Sequence, residues 1–177
     1  FFDIPVDNLN ALPVLQPYIK KQYGDKNLTF VSPDAGGVNR VRDFASHFPE
    51  SQIAIIDKRR SGPNQVSEMN VIGDVKNRTC IIIDDMIDTG GTLVKAGNLL
   101  IEQGAGEVIA CCVHPVLSGQ AIERINESPF KELVVTDSIK VPNANKCKKL
   151  KIISVTDLFS SAISRIHNED SITSLFK

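Results

Sequence analysis

The chain has 177 residues, of which 42% are apolar and 23% are charged, and its formal net charge is −1. This composition is typical of one soluble globular domain with its own core. Without a surplus of Lys and Arg, nucleic-acid binding by bulk charge attraction is not expected, and no apolar run approaches the roughly 20 residues that cross a bilayer.

The chain begins with FFDIPVDNLNALP, which places acidic residues and prolines where a secretory signal has a basic segment and an apolar run. Two large apolar side chains, Phe1 and Phe2, stand at the very start, and such side chains usually pack against other protein. We therefore expect the sequence to be a piece of a longer protein without a secretory signal.

Six short runs rich in Val and Ile predict strands that are buried on both faces, because apolar residues follow one another without polar alternation. The predicted strands are 28–32, 52–57, 80–84, 107–113, 132–136 and 150–155.

Three segments between these runs have apolar residues at three- and four-residue spacing, which predicts helices over 38–48, 92–104 and 156–168. Strands that alternate with helices predict an α/β fold, with a parallel sheet and helices on both of its faces. The loops from strand to helix then lie at one edge of the sheet, where open sheets bind ligands.

The segment 57–70, DKRRSGPNQVSEMN, is different, since it is polar and has Gly62 and Pro63 in its middle. It shows no helical periodicity, so we predict a mobile loop. This loop carries three adjacent cations, Lys58, Arg59 and Arg60. Taken alone, such a run is more often a solvated surface than a site.

The stretch CIIIDDMIDTGGT, residues 80–92, predicts a site for a sugar phosphate. Gly90 and Gly91 let backbone N–H groups approach a ligand, and the start of the following helix adds further donors and the positive end of its dipole. A phosphate monoester fits there. Carboxylates would repel it, but they accept hydrogen bonds from the hydroxyls of a polyol or face a divalent cation. The alternative is a purely structural role, in which the stretch is a solvated loop and one residue caps the helix. Capping requires fewer acidic residues and glycines than this stretch contains.

The four cysteines, Cys80, Cys111, Cys112 and Cys147, form no C-x-x-C pair, and the three histidines are scattered. We interpret the cysteines as small buried residues of a protein from a reduced compartment, the cytoplasm.

The 80–92 stretch resembles the sugar-phosphate loop of the type I phosphoribosyltransferase fold. Three further stretches, SPDAGG (32–37), FFDIPVDNL (1–9) and HPVLSGQAIERI (114–125), extend the resemblance over nearly the whole chain to one family, the ribose-phosphate pyrophosphokinases. Members of that family transfer the diphosphoryl group of ATP to the C1 hydroxyl of ribose 5-phosphate.

The resemblance implies roles for particular residues. Asp84, Asp85 and Asp88 hold the ribose hydroxyls, and Thr89, Gly90, Gly91 and Thr92 hold the 5-phosphate. Lys58 and Arg60 are the catalytic cations. Asp34, Asp3 and Asp7 contact Mg²⁺, while Ser171 and Thr173 match a regulatory phosphate site. His114 is interpreted as a packed histidine.

The resemblance also implies the setting. The family has two similar domains, and this chain, residues 1–177, matches the C-terminal one, so we expect the isolated chain to bind ribose 5-phosphate weakly and to make little product. Homo-oligomers built from dimers, up to hexamers, are expected. Two alternatives remain: a phosphoribosyltransferase that consumes phosphoribosyl pyrophosphate, and a non-catalytic regulatory subunit.

Overall fold

A computed structural model describes residues 2–59 and 68–176. The helices are α1 (Leu12–Tyr23), α2 (Val38–Ala45), α3 (Gly91–Glu102), α4 (Ala121–Glu127) and α5 (Thr156–His167). The strands are β1 (Leu28–Ser32), β2 (Gln52–Arg59), β3 (Glu68–Ile72), β4 (Thr79–Ile87), β5 (Glu107–Pro115), β6 (Leu133–Thr136) and β7 (Leu150–Ile153). Short 3₁₀ turns occupy Ala144–Lys146 and Thr173–Phe176.

The strands of the described chain form one sheet of seven in the order β3-β2-β1-β4-β5-β6-β7. Every neighbouring pair is parallel except β2 and β3, which are antiparallel. The predicted α/β class is confirmed, as are all six predicted strands and all three predicted helices. No helix in the described residues is long and apolar enough to span a membrane.

Two apolar clusters cover the two faces of the sheet. On one face α1 and α2 pack on the inner strands, and their cluster includes Phe30, Phe44 and Phe48, whose ring centroids lie 4.9–5.7 Å apart. On the other face α3 and α4 pack on the alternate residues of the same strands. There α3 approaches closely, because a Cβ added at Gly97 would lie 2.5 Å from the ring of Phe130.

The prediction of a loop over 57–70 is wrong at both of its ends. β2 continues to Arg59, and Glu68–Ile72 returns beside it as an antiparallel edge strand. Met69 and Val71 pack on the core, so the segment has a period of two, which the polar residues between them concealed. Residues 60–67 lie outside the described part of the chain.

Two helices were not predicted. α1 carries a proline at Pro17, which usually argues against a helix interior, yet Leu12, Leu15, Ile19 and Tyr23 are buried on one side of it. α4 has seven residues, too few for a clear period. The cysteines behave as predicted, since all four are buried and free.

Candidate functional site

The stretch that first suggested a site lies on a strand that projects beyond its neighbour. β1 pairs with β4 as far as Val31 opposite Ile82, whereas β5 stays paired with β4 as far as Ile87 opposite Pro115. The predicted strand end at residue 84 is therefore too early, because pairing with β5 carries the strand three residues further. Asp84 and Asp85 stand on this projecting part of β4, at the carboxyl edge of the sheet.

The projecting strand and its neighbours enclose a cleft of about 320 Å³. The cleft brings together residues from three strand ends and from the loop before α3, and its lining includes Asp34, Lys58, Asp84, Asp88, Thr89, Gly90, Gly91 and Thr92. Most of the residues that the sequence proposed for one site thus meet in space. Their individual roles stay predictions.

The loop before α3 has the geometry of an anion site. Gly90 has φ of +72°, a left-handed conformation that favours glycine, and α3 begins at the next residue. Since the first N–H groups of a helix have no partner within the helix, those of this turn are available at the cleft. Thr89 and Thr92 add hydroxyl donors beside them.

Two side chains from the α4 region support this loop, and neither was predicted from the sequence. Arg124 donates from Nη1 to the carbonyl oxygen of Thr89 at 2.9 Å. Ser118 donates its hydroxyl to Oδ1 of Asp88. These contacts fix the backbone next to Gly90 and orient one carboxylate. Their sequence signal lies only in HPVLSGQAIERI, where nothing indicates which side chain would turn back toward the site.

Asp34 occupies the turn between β1 and α2. Its Oδ1 accepts the N–H of Gly37 at 3.0 Å, and its carbonyl oxygen accepts the hydroxyl of Ser32 at 2.6 Å. A Cβ at Gly37 would lie 2.8 Å from Oγ of Ser32, so the turn is too tight for a side chain there. The SPDAGG sequence therefore builds a compact turn that holds one carboxylate at the cleft.

The side chains of Asp84 and Asp85 point to opposite faces of the sheet, as those of neighbouring strand residues do. Asp84 lines the cleft described above, whereas Asp85 lines an adjoining cleft of about 410 Å³ together with His114. Arg40 on α2 donates to both carboxylates, at 3.3 Å to Asp84 and 2.7 Å to Asp85. Burial raises the pKa of Asp84 to about 6.

Four of the remaining predicted residues, Asp3, Asp7, Ser171 and Thr173, do not line the cleft. Asp3 and Asp7 stand in an exposed segment without regular structure, and Arg60 lies outside the described residues. Ser171 and Thr173 are exposed and hydrogen-bonded to each other at 3.0 Å. Among the described residues, no group of three or more His, Cys, Asp or Glu side chains is arranged to hold a metal ion.

The sheet and its glycine-threonine loop define an α/β protein of the phosphoribosyltransferase fold. A solved purine phosphoribosyltransferase from Pyrococcus horikoshii has a TM-score of 0.50 to this chain at 16% identity and covers 81% of this chain and 79% of its own. That likeness shows the fold alone.

The family follows from closer matches. The model of the phosphoribosyl synthetase-associated domain matches residues 27–177, and the chain belongs to this family. A ribose-phosphate pyrophosphokinase of Gloeobacter violaceus is 49% identical over 178 residues, which cover all of this chain and 53% of that protein. The solved phosphoribosylpyrophosphate synthetase from Mycobacterium smegmatis has a TM-score of 0.88 at 38% identity and covers 95% of this chain and 54% of its own. The chain spans about half the length of the relatives it matches.

Proposed function

We propose that this chain is the ribose 5-phosphate-binding domain of a ribose-phosphate diphosphokinase, which makes phosphoribosyl pyrophosphate and AMP for nucleotide biosynthesis. One observation carries the proposal. The cleft beside β4 has anion-binding backbone at one end, at Gly90–Thr92, and carboxylates at Asp84 and Asp88 nearby. A pentose with a terminal phosphate and a vicinal diol matches both halves of that lining.

The family and the close relatives support diphosphoryl transfer as the reaction of the whole protein. The length of this chain limits how much of the active site it can contain. Since relatives are about twice as long, we propose that the chain is the second of two similar domains and that the other supplies much of the ATP site. The isolated chain is then expected to bind ribose 5-phosphate weakly and to turn over little.

In the proposed reaction the cleft first orients the sugar. N–H groups and hydroxyls of Thr89 to Thr92 bind the 5-phosphate, and Asp84 and Asp88 accept hydrogen bonds from ribose hydroxyls. Holding both ends of a small substrate fixes the position of its C1 hydroxyl. Such fixation lowers the entropic part of the barrier for attack on a second substrate.

The chemical step forms a bond between the C1 oxygen and the β-phosphorus of ATP and breaks the bond from that phosphorus to the α–β bridging oxygen. The hydroxyl proton is lost to solvent or base, and AMP leaves with the bonding electrons. Negative charge grows on the phosphoryl and leaving oxygens. Lys58 lines the cleft from the end of β2 and is proposed to stabilise that charge, together with Arg60.

Mg²⁺ is proposed as the cofactor, and it would shield the phosphate oxygens of ATP when bound. Because Mg²⁺ keeps several waters and binds through one or two carboxylates plus substrate phosphates, it needs no preformed cluster of three ligands. Asp34 fits this requirement, because its turn holds a carboxylate at the cleft. Asp3 and Asp7 are kept as weaker candidates for the same role.

The assembly and location of the protein are part of the same proposal. We propose homo-oligomers of the whole protein, built from dimers into hexamers, and a cytoplasmic location. A large exposed apolar side chain on α5, Phe159, with half of its surface accessible, supports a contact with other protein. Ser171 and Thr173 are kept as candidates for a regulatory phosphate site.

Calorimetry on this chain tests the binding proposal. Ribose 5-phosphate should bind more tightly than ribose, because only the former engages the loop before α3. Asp88→Asn should weaken binding about tenfold or more, since a charged hydrogen-bond acceptor is lost. Asp25→Asn is the matched control, because Asp25 is an exposed carboxylate in the turn before β1, outside the lining of the cleft.

Equal affinity for ribose and ribose 5-phosphate, or equal loss in both variants, would contradict the proposal. A separate rate assay with ATP, Mg²⁺ and ribose 5-phosphate tests the expectation of low turnover. Turnover like that of a full-length relative would show that the chain needs no second domain. Nucleotide formation from phosphoribosyl pyrophosphate and a free base would instead favour a phosphoribosyltransferase.

A further inference from the structure

Arg40 lies in the first turn of α2, six residues after Asp34, and its guanidinium reaches the projecting end of β4. Nη1 donates to Oδ1 of Asp84 at 3.3 Å, and Nη2 donates to Oδ2 of Asp85 at 2.7 Å. One planar cation thus connects two carboxylates that follow each other on the strand and line different clefts. A lysine could not do the same, because its single ammonium lacks two fixed donor directions.

The contacts to Asp84 all converge on one of its oxygens. Oδ1 accepts from Arg40 and also from the backbone N–H of Asp85, the latter at 2.9 Å. Two hydrogen bonds to the same oxygen restrict rotation of the carboxylate. Oδ2 accepts neither of these bonds, so it is left for a ligand hydroxyl in the cleft that Asp84 lines.

We propose, on the basis of the function proposed above, that Arg40 is a positioning residue: it bridges Asp84 and Asp85 so that Asp84 stays ionised and presents Oδ2 to the sugar hydroxyls. Arg40 does not line the sugar-phosphate cleft, so it acts on the substrate through Asp84.

Arg40 is needed because its positive charge favours the ionised form of Asp84. Asp84 is half buried beside a second carboxylate, and both effects favour its protonated form. A neutral carboxyl group accepts hydrogen bonds from sugar hydroxyls less strongly than a carboxylate does. The pKa of Asp84 is raised to about 6, chiefly by burial, and Arg40 acts in the opposite direction.

Other titratable groups also surround Asp84 and Asp85. They are Asp34, Lys58 and Asp88 around one cleft, His114 in the other, and the buried thiol of Cys112 on β5. Among these groups only Lys58 and, when protonated, His114 carry positive charge. Loss of Arg40 should therefore raise the pKa of Asp84 further above 6.

The effect of losing Arg40 on ligand binding should distinguish it from a residue of an ordinary surface ion pair. A surface pair contributes little, and what it contributes is to stability alone. A positioning residue should also shift the pH at which ribose 5-phosphate binding is half lost. Titration of the ligand phosphate is common to all variants, so a difference between variants reports on the protein.

The experiment measures ribose 5-phosphate affinity by calorimetry between pH 5 and 8.5 for the native chain, Arg40→Gln, Arg40→Lys and the control Arg42→Gln. Arg42 is exposed on the same helix. We expect Arg40→Gln to bind about tenfold more weakly near neutral pH, with its acid midpoint moved upward, and Arg40→Lys to recover part of both losses. Arg42→Gln should match the native chain. If Arg40→Gln does not fold, the smaller changes expected for Arg40→Lys decide.

Identical affinities and midpoints in the folded Arg40 and Arg42 variants would overturn the inference. The ligand-free chain provides a second measurement that does not depend on the proposed function. Carbon-13 NMR titration of the aspartate carboxyl groups should show the Asp84 midpoint rising in Arg40→Gln. If the native chain fails to bind ribose 5-phosphate but this rise is seen, the proposed function is wrong and the bridge stands. If the Asp84 midpoint does not change in Arg40→Gln, the proposed role of Arg40 is wrong.

Discussion

Asp84→Asn should make the chain more stable at neutral pH while weakening its binding of ribose 5-phosphate. Asp84 is half buried on β4, and burial is the main cause that raises its pKa from 3.8 to about 6. Between about pH 4 and pH 6, the folded state therefore holds more protons than the unfolded state. The free energy of unfolding therefore falls as the pH rises from about 4 to about 6.

The size of the effect follows from the same shift. At about 1.4 kcal/mol per pH unit, ionising Asp84 costs the native chain up to about 3 kcal/mol above pH 6. Asparagine has no such cost, but it loses the charge that pairs with Arg40, which keeps its contact with Asp85 at 2.7 Å. We expect a net gain of about 1–2 kcal/mol at pH 7.5, which is absent near pH 4.

Urea denaturation at a series of pH values measures this gain, with Asp25→Asn as the control for loss of a carboxylate. The native chain and Asp84→Asn should have similar stability near pH 4 and should separate between pH 4 and 6. A gain that does not vary with pH, or a variant less stable throughout, would contradict the view that Asp84 is held in an environment unfavourable to its charge. Calorimetry should show the loss of ribose 5-phosphate affinity in the same variant.

Two further predictions concern the scaffold. Gly97→Ala should destabilise the chain by about 1–3 kcal/mol in denaturant unfolding, because its Cβ would overlap the Phe130 ring. The double variant with Phe130→Leu should recover part of this loss of stability. An unchanged stability in Gly97→Ala would mean that α3 can move away from the ring. Tyr18 and Tyr23 should both resist deprotonation in an absorbance titration, because burial and hydrogen bonds to Glu132 raise their pKa values, that of Tyr18 to about 12. A phenolate signal near pH 10 from the folded chain would refute this.

The fold was readable from sequence wherever a segment is buried on both faces. β4 and β5 have runs of Ile, Val and Cys, and all five residues of β1, LTFVS, are buried, patterns that hardly any other structure explains. The strand β3 was missed because an edge strand has only half of its residues facing the core, here Met69 and Val71. The helix α1, which was not predicted, contains Pro17, a residue unfavourable in a helix interior, and burial of its apolar side outweighs that cost.

The site was readable to the extent that it consists of consecutive residues. The loop 88–92 carries its glycines, threonines and acid in a fixed order, and a single strand end places them together. Arg40, Ser118 and Arg124 come from other segments. Only tertiary packing brings the side chain of Arg40 to Asp84 and Asp85, and those of Ser118 and Arg124 to the loop. Sequence alone contains no period or spacing that would have selected these three from the other polar residues.

A crystal structure of this chain soaked with ribose 5-phosphate tests the central claim most directly. We predict the phosphate against the backbone N–H groups of Gly90 to Thr92 and the ribose hydroxyls within hydrogen-bond distance of Asp84 and Asp88. A sugar phosphate bound in the reverse direction, or bound outside this cleft at saturating concentration, would contradict the claim.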